Sequence, residues 1–256
     1  MQDTQTDPHV SDIAGRHTCG TLYGLGVGPG SPDLLTIRAV KVLQSVSVIL
    51  AAASPKNDDS LALSIAAPHL PPGCETVRLN FPMTRDTTLL HQAWEQNAQK
   101  VASLLKTGKS AAFLTLGDPL IYSTFGYLMR TLRKTMPGLP IEIVPGITSY
   151  QAAAARTQTV LCEGEENLLL LSGIADGERL ELLLRQCDSA AILKTYRNIE
   201  AICQAVDKAE RGEDCIFASR LGLEGEQCGQ GLEEVPAKPH YLSLLLLPPK
   251  RKVTNE

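Results

Sequence analysis

Short apolar runs alternate along this chain with stretches in which apolar residues return every three to four positions. The first run, Thr21–Val27, reads as a strand. Thr36 is placed to cap a helix that carries Ile37, Val40 and Leu43 on one face. Val46–Ala52 is a short continuous apolar run, the signature of a strand buried on both faces. Leu90, Ala93, Trp94, Asn97, Val101, Leu104 and Leu105 mark a long helix with Gly108 as its stop. Ala111–Leu116 is the next strand. Phe125, Leu128, Met129 and Leu132 then predict a helix that ends at Pro137-Gly138. Ile141–Val144 is a strand, and Thr148 or Ser149 caps an alanine-rich helix through Ala155. Beyond it, Leu168–Leu171, Ala190–Leu193, Cys215–Ala218 and Tyr241–Leu247 read as strands. Helices fall at Glu178–Arg185 and at Ile199–Ala209, the second capped by Asn198.

This alternation argues an α/β architecture, and the long connections near the end suggest a mixed second sheet. No internal repeat or low-complexity linker divides the chain. The length suits one large domain or two small ones; any division is placed at Phe125, giving residues 18–125 and 126–256, behind a polar leader of residues 1–17 that has no apolar signal core. The 256 residues, 43% of them hydrophobic, suffice for a sizeable core. A formal charge of −4 offers no bulk attraction to nucleic acid. No apolar run approaches the roughly 18 residues of a membrane-spanning helix. The seven cysteines are scattered and never spaced C-x-x-C, which fits reduced thiols in a cytoplasmic protein, buried as small apolar residues. The five histidines show no ligand spacing, so no metal site is expected in the protein.

The candidate chemistry sits where strands end. The first strand runs into Gly24-Leu25-Gly26-Val27-Gly28-Pro29-Gly30-Ser31-Pro32-Asp33, a stretch rich in Gly and Pro. Backbone without side chains admits a ligand closely, and strand ends are where α/β sheets bind ligands. The dinucleotide pattern G-x-G-x-x-G fails here, because Pro29 or Ser31 stands where its last Gly belongs. The phosphate-loop pattern fails for want of a lysine. A second strand exit is Leu114-Thr115-Leu116-Gly117-Asp118-Pro119-Leu120-Ile121-Tyr122-Ser123. There Asp118 offers a carboxylate to a ribose hydroxyl or an ammonium group, although Gly-Asp-Pro is also an ordinary turn. The third is Val144-Pro145-Gly146-Ile147-Thr148-Ser149, which leads into a helix start with free amides and two hydroxyls, or into a plain cap.

Together the three loops resemble the tetrapyrrole methylases, which use S-adenosylmethionine. The likeness lies in GLGVGPG followed by LLT, in LTLGDPLIYS, and in VPGIT before an alanine-rich helix, over about Gly20 to Leu247. Asn80-Phe81-Pro82-Met83-Thr84-Arg85-Asp86 and Tyr122-Ser123-Thr124-Phe125 resemble the branch that methylates carbon 20 of precorrin-2, or of its cobalt-bearing counterpart, in cobalamin synthesis. The resemblance implies two α/β domains with the cofactor between them, and a homodimer. It implies cofactor contacts at Pro29, Leu116, Gly117, Asp118, Ile121, Tyr122, Thr148 and Ser149, and at Leu193, Lys194 and Thr195 after a later strand. S-adenosylmethionine carries no phosphate, which accounts for the failed phosphate motifs. The Gly28-Pro29-Gly30 stretch becomes the border between methyl donor and acceptor. The acceptor bears many carboxylates, for which Arg38 and Arg85 are candidates, with Arg156, Lys194 and Arg197 behind them. Methyl transfer from an activated sulfonium needs alignment first, so no general base is assigned; Tyr122 and Asp118 are the candidates. Other readings are methylation at another position of a precorrin or uroporphyrinogen, or a silent module that binds either ligand.

Overall fold

The computed structural model describes residues 19–53 and 60–251. The expected leader, with His9 and His17, lies outside the described residues. Five strands form a first sheet: β1 (Leu22–Gly26), β2 (Val48–Ala53), β3 (Glu75–Asn80), β4 (Ala111–Thr115) and β5 (Ile141–Val144). Their order is β3-β2-β4-β1-β5 and every pairing is parallel. Parallel strands need crossovers, and the helices that supply them cover both faces. On one face α3 (Thr87–Leu105) and α4 (Phe125–Thr135) bury Val101, Leu105, Leu128 and Leu132 against Leu22, Leu50 and Phe113. On the other, α1 (Ile37–Ser45) and α2 (Leu61–Ala66) bury Leu43 and Ile65 against Leu25, Ile49 and Leu114. Neighbours along β4 therefore belong to opposite cores, Phe113 to one and Leu114 to the other, and the strand has no polar face.

The second sheet holds β6 (Leu168–Ser172), β7 (Ser189–Leu193), β8 (Ile216–Ser219), β9 (Gln227–Gln230) and β10 (Ser243–Leu247), in the order β6-β7-β10-β8-β9. It is mixed: β6 and β7 are parallel, whereas β10 runs antiparallel to β7 and β8. Helices α6 (Gly177–Arg185) and α7 (Ile199–Lys208) cover one face. The other face receives α5 (Ser149–Arg156) through Ala153, set among Ala191, Ala218, Leu244 and Leu246. A buried arginine staples this layer. The Arg211 guanidinium donates to the carbonyls of Leu184, Cys187, Asp188, Leu247 and Pro248, at 2.7–3.5 Å.

Capping decides several helix starts. Thr36 accepts from the Ala39 amide at 3.1 Å, as its position suggests. Thr148 closes a capping box with Gln151. The long helix begins at Thr87 rather than Leu90, because the Asp86 carboxylate accepts from the Thr88 and Leu89 amides. Asn198 stands at the expected cap of α7, but its side chain donates to the Ile174 carbonyl and leaves the helix uncapped by it. The division expected at residue 125 falls later. Phe125 is packed in the core of the first layer, and β5 pairs with β1 through Val144, so the chain passes to the second layer only afterwards. The cysteines also differ from expectation: only Cys215 is buried, while Cys162 and Cys228 are exposed and the other four are half-buried. Burial pushes the Cys215 thiol up to about 12.

Candidate functional site

In a parallel sheet all strands end on one side. The chain leaves β1 toward β2 and β3, returns to place β4 between β2 and β1, and then adds β5 beyond β1. The reversal opens a crevice beyond the carboxyl ends of β1 and β4, the usual ligand position in such sheets. All three Gly/Pro loops meet there. Gly117 donates its amide to the Gly28 carbonyl at 2.8 Å. A side chain at Gly26 would lie 2.4 Å from the Gly117 carbonyl oxygen, and one at Gly146 would lie 2.1 Å from that same oxygen. The glycines let three backbones pack into one another, which no residue with a Cβ permits.

Asp118 ties this junction together. One carboxylate oxygen accepts from the Leu120 amide at 2.8 Å and the other from the Gly146 amide at 3.1 Å. The residue read as a ligand contact is thus also a clamp between the second and third loops. Thr148 is similarly committed: its hydroxyl donates to the Gln151 side chain at 2.8 Å and accepts from the Gln151 amide.

A cleft of about 180 Å³ separates this junction from the second sheet. Pro29, Leu116, Gly117, Asp118, Ile121, Tyr122, Thr148 and Ser149 line its first wall. Leu193, Lys194, Leu221 and Tyr241–Leu244 line the second. Thr195, expected among the contacts, is wholly buried behind that wall, where its hydroxyl bonds to Ser243 at 2.7 Å. Gly28 and Gly30, expected at the substrate, are spent on backbone packing. Gly28 is left-handed (φ +78°) and bridges to Gly117. A Cβ on Gly30 would fall 2.0 Å from the Leu221 carbonyl oxygen, so the glycine loop is where the first layer touches the second. Arg38 is exposed and paired with Glu142 at 2.9 Å, away from the cleft lining. Arg85 lies exposed between β3 and α3, on the rim where the first sheet's strands end. Arg156, on α5, is paired with Glu226 at 2.5 Å.

Two of the five non-glycine residues with left-handed backbone among the described residues meet across the cleft. Tyr122 (φ +49°) and Lys194 (φ +58°) are left-handed without being glycine, and they face each other from opposite walls. The Lys194 Nζ lies 5.8 Å from the centre of the Tyr122 ring. The Tyr122 hydroxyl donates to the Leu170 carbonyl at 3.2 Å, a direct bond between the layers. Such backbone persists only where the surroundings enforce it, and it gathers at functional sites. Burial, reinforced by nearby Arg197, holds the Lys194 ammonium below the ordinary lysine range. Burial pushes the Tyr241 phenol up, and its neighbour Tyr196 adds to the shift while Arg197 opposes it.

A match to the model of the Tetrapyrrole (Corrin/Porphyrin) Methylases spans residues 21–235. The chain belongs to that family. It is 36% identical to the cobalt-precorrin-2 C(20)-methyltransferase of Salmonella typhimurium over 218 residues, 84% of this chain and 90% of that one. Among solved structures, a cobalt precorrin-4 methyltransferase aligns at a TM-score of 0.70 and 22% identity, covering 89% of this chain and 94% of that one. A uroporphyrin-III C-methyl transferase from Thermus thermophilus, complexed with S-adenyl homocysteine, aligns at 0.62 and 21% identity, covering 90% and 97%. These two likenesses concern the fold.

The second wall of the methylase cleft is where sequence reasoning missed residues. Leu221 stands just before Gly222 and Gly225 in the turn that follows β8, a Gly signal that was not used. A second sign was the strand read from Tyr241, which in fact begins at Ser243; ahead of it the Leu242 carbonyl accepts from the Arg220 amide at 3.0 Å.

Proposed function

We propose that this methylase transfers a methyl group from S-adenosylmethionine to carbon 20 of precorrin-2, with the cobalt-bearing ring as the first substrate to test. The observation that carries the reading is the interlocked junction of Gly26, Gly117 and Gly146, which faces an apolar cleft built without a phosphate cradle. The relative named for the cobalt-bearing substrate covers most of the chain and supports the choice of ring position.

The lining fits the proposed donor. Leu116, Ile121, Leu193, Leu221 and Leu242 offer an apolar slot for an adenine ring. Ser149, Ser243 and the loop backbone offer hydrogen bonds to ribose, amino and carboxylate groups. The donor supplies a methyl group on a positive sulfur. The protein's part is to align that carbon with the acceptor carbon and keep water out, and such alignment accounts for about 7–11 kcal/mol of barrier in well-oriented systems. Pro29, between the two layers, stands where donor and acceptor meet. Arg85 serves the ring's carboxylates from the rim, whereas Arg38 is already engaged by Glu142. The same reading has the protein acting as a homodimer in the cytoplasm. Among the described residues no helix is long and apolar enough to cross a membrane.

The test is direct. The protein is incubated with S-adenosylmethionine and cobalt-precorrin-2 or metal-free precorrin-2, and the products are weighed and mapped. One added methyl at carbon 20 supports the reading. A methyl at another carbon moves the protein to a different branch, and binding without transfer to either ring refutes the reading.

A further inference from the structure

Replacing hydrogen by methyl on a ring carbon leaves a proton to be removed, and on the methyl-transfer reading the cleft must provide for it. The titratable groups that line the cleft are Asp118, Tyr122, Lys194 and Tyr241. Both oxygens of Asp118 are already engaged, by the backbone amides of Leu120 and Gly146, and serve to clamp the loops. The Tyr122 hydroxyl directs its proton at the Leu170 carbonyl. Tyr241 is pushed toward its neutral, protonated form. Lys194 differs from all three. Among the described residues its Nζ has no carboxylate partner, its left-handed backbone fixes where the side chain starts, and Arg197 on the same turn repels a second positive charge.

We propose that the Lys194 side-chain amine, facing Tyr122 across the cleft, is the base that takes the proton from the methylated carbon. The balance is complete without a further reactant. The carbon–carbon bond forms as the sulfur–methyl bond breaks, and sulfur keeps that electron pair. The carbon–hydrogen bond then breaks, its pair returns to the ring, and the proton goes to Nζ. Charge explains the timing. A positive sulfur in the same cleft disfavours the ammonium, as burial and Arg197 already do. Once the methyl has left, sulfur is neutral and the amine regains its basicity as the proton becomes available. The cleft carries one positive charge before and after, and the Tyr122 ring at 5.8 Å faces the new ammonium.

The titration of Lys194 tests this without turnover. In protein labelled with carbon-13 at the lysine ε position, the peak missing from the Lys194→Gln spectrum identifies the residue. Its midpoint is expected below that of the exposed lysines, and lower with S-adenosylmethionine bound than with S-adenosylhomocysteine. In the reaction, wild-type kcat should rise with pH along a limb set by that midpoint. Lys194→Gln and Lys194→Arg should each lose roughly 100-fold in kcat at saturating cofactor, without the limb. An ordinary lysine midpoint in both complexes overturns the proposal, as does a Lys194→Gln enzyme that keeps the wild-type limb. A wild-type protein that methylates neither ring overturns the parent reading, and this one with it.

Discussion

The two walls of the cleft are built on different principles. The first wall is backbone: three strand-exit loops, interlocked at Gly26, Gly117 and Gly146 and clamped by Asp118. The second wall is side chains: Lys194 and Tyr241, with Arg197 and Tyr196 behind them, on turns at the ends of a mixed sheet. A backbone wall tolerates little change because every atom belongs to the chain itself. A side-chain wall can be altered one residue at a time while its sheet stays intact. On this account both walls hold the methyl donor, and the second also carries the group that acts on the acceptor.

Substitutions in the first wall should therefore be the most damaging. Gly146→Ala would drive a Cβ against the Gly117 carbonyl oxygen. It is expected to cost on the order of 3 kcal/mol of stability and to abolish binding of S-adenosylhomocysteine, read by thermal melting and calorimetry. A variant that binds normally would mean the loops do not interlock as described. Asp118→Ala ranks next. It removes the acceptor of two amides without a clash, and S-adenosylhomocysteine affinity should fall roughly tenfold, about 1.4 kcal/mol. Unchanged affinity would reduce Asp118 to a turn residue.

The contact between the walls can be probed through Glu226. Its carboxylate accepts from the Gly222 amide at 2.7 Å and pairs with Arg156. Gly222 lies against Ser31 of the glycine loop. The Gly222 hydrogen bond first, and Arg156 second, hold the Glu226 carboxyl below the usual carboxylate range. A lowered acid stabilises the fold fully above the ordinary carboxylate pKa and loses that contribution as pH falls through the lowered value. Glu226→Gln should thus cost about 1 kcal/mol near neutral pH, and melting curves of the two proteins should converge in acid. A difference that persists in acid would assign the effect to packing. The smallest effect belongs to Arg38→Ala. An exposed ion pair is worth less than about 1 kcal/mol, so stability and ring affinity should barely move. A large rise in KM would return Arg38 to the substrate site.

The contrast between the walls also decides what could be read from the sequence. Gly26, Gly117, Asp118 and Gly146 announced themselves because a tight backbone junction demands particular residue types in particular places. Tyr241, Leu242 and Leu244 did not, because an apolar residue at a strand end looks the same whether it faces a cleft or a core. The core strands and amphipathic helices were legible for a related reason, since burial on both faces leaves continuous apolar runs. The edge strands β3 and β9 were missed. Both are largely exposed and mostly polar; Gln227–Gln230 shows no apolar alternation, whereas Val77 and Leu79, alternating with Arg78 and Asn80, were a signal left unread. The layer boundary was misplaced because Phe125 opens a helix whose partner lies earlier in the chain, a long-range pairing with no local mark.

The central claim is that one ligand is held by both walls at once. The position of S-adenosylhomocysteine in a crystal of its complex with this protein tests it most directly. The account predicts the nucleoside between Leu116–Tyr122 on one side and Tyr241–Leu244 on the other, with its sulfur between Pro29 and Lys194. A ligand bound to one wall alone, or in the groove lined by Thr157, Asp214 and Pro248, would contradict it.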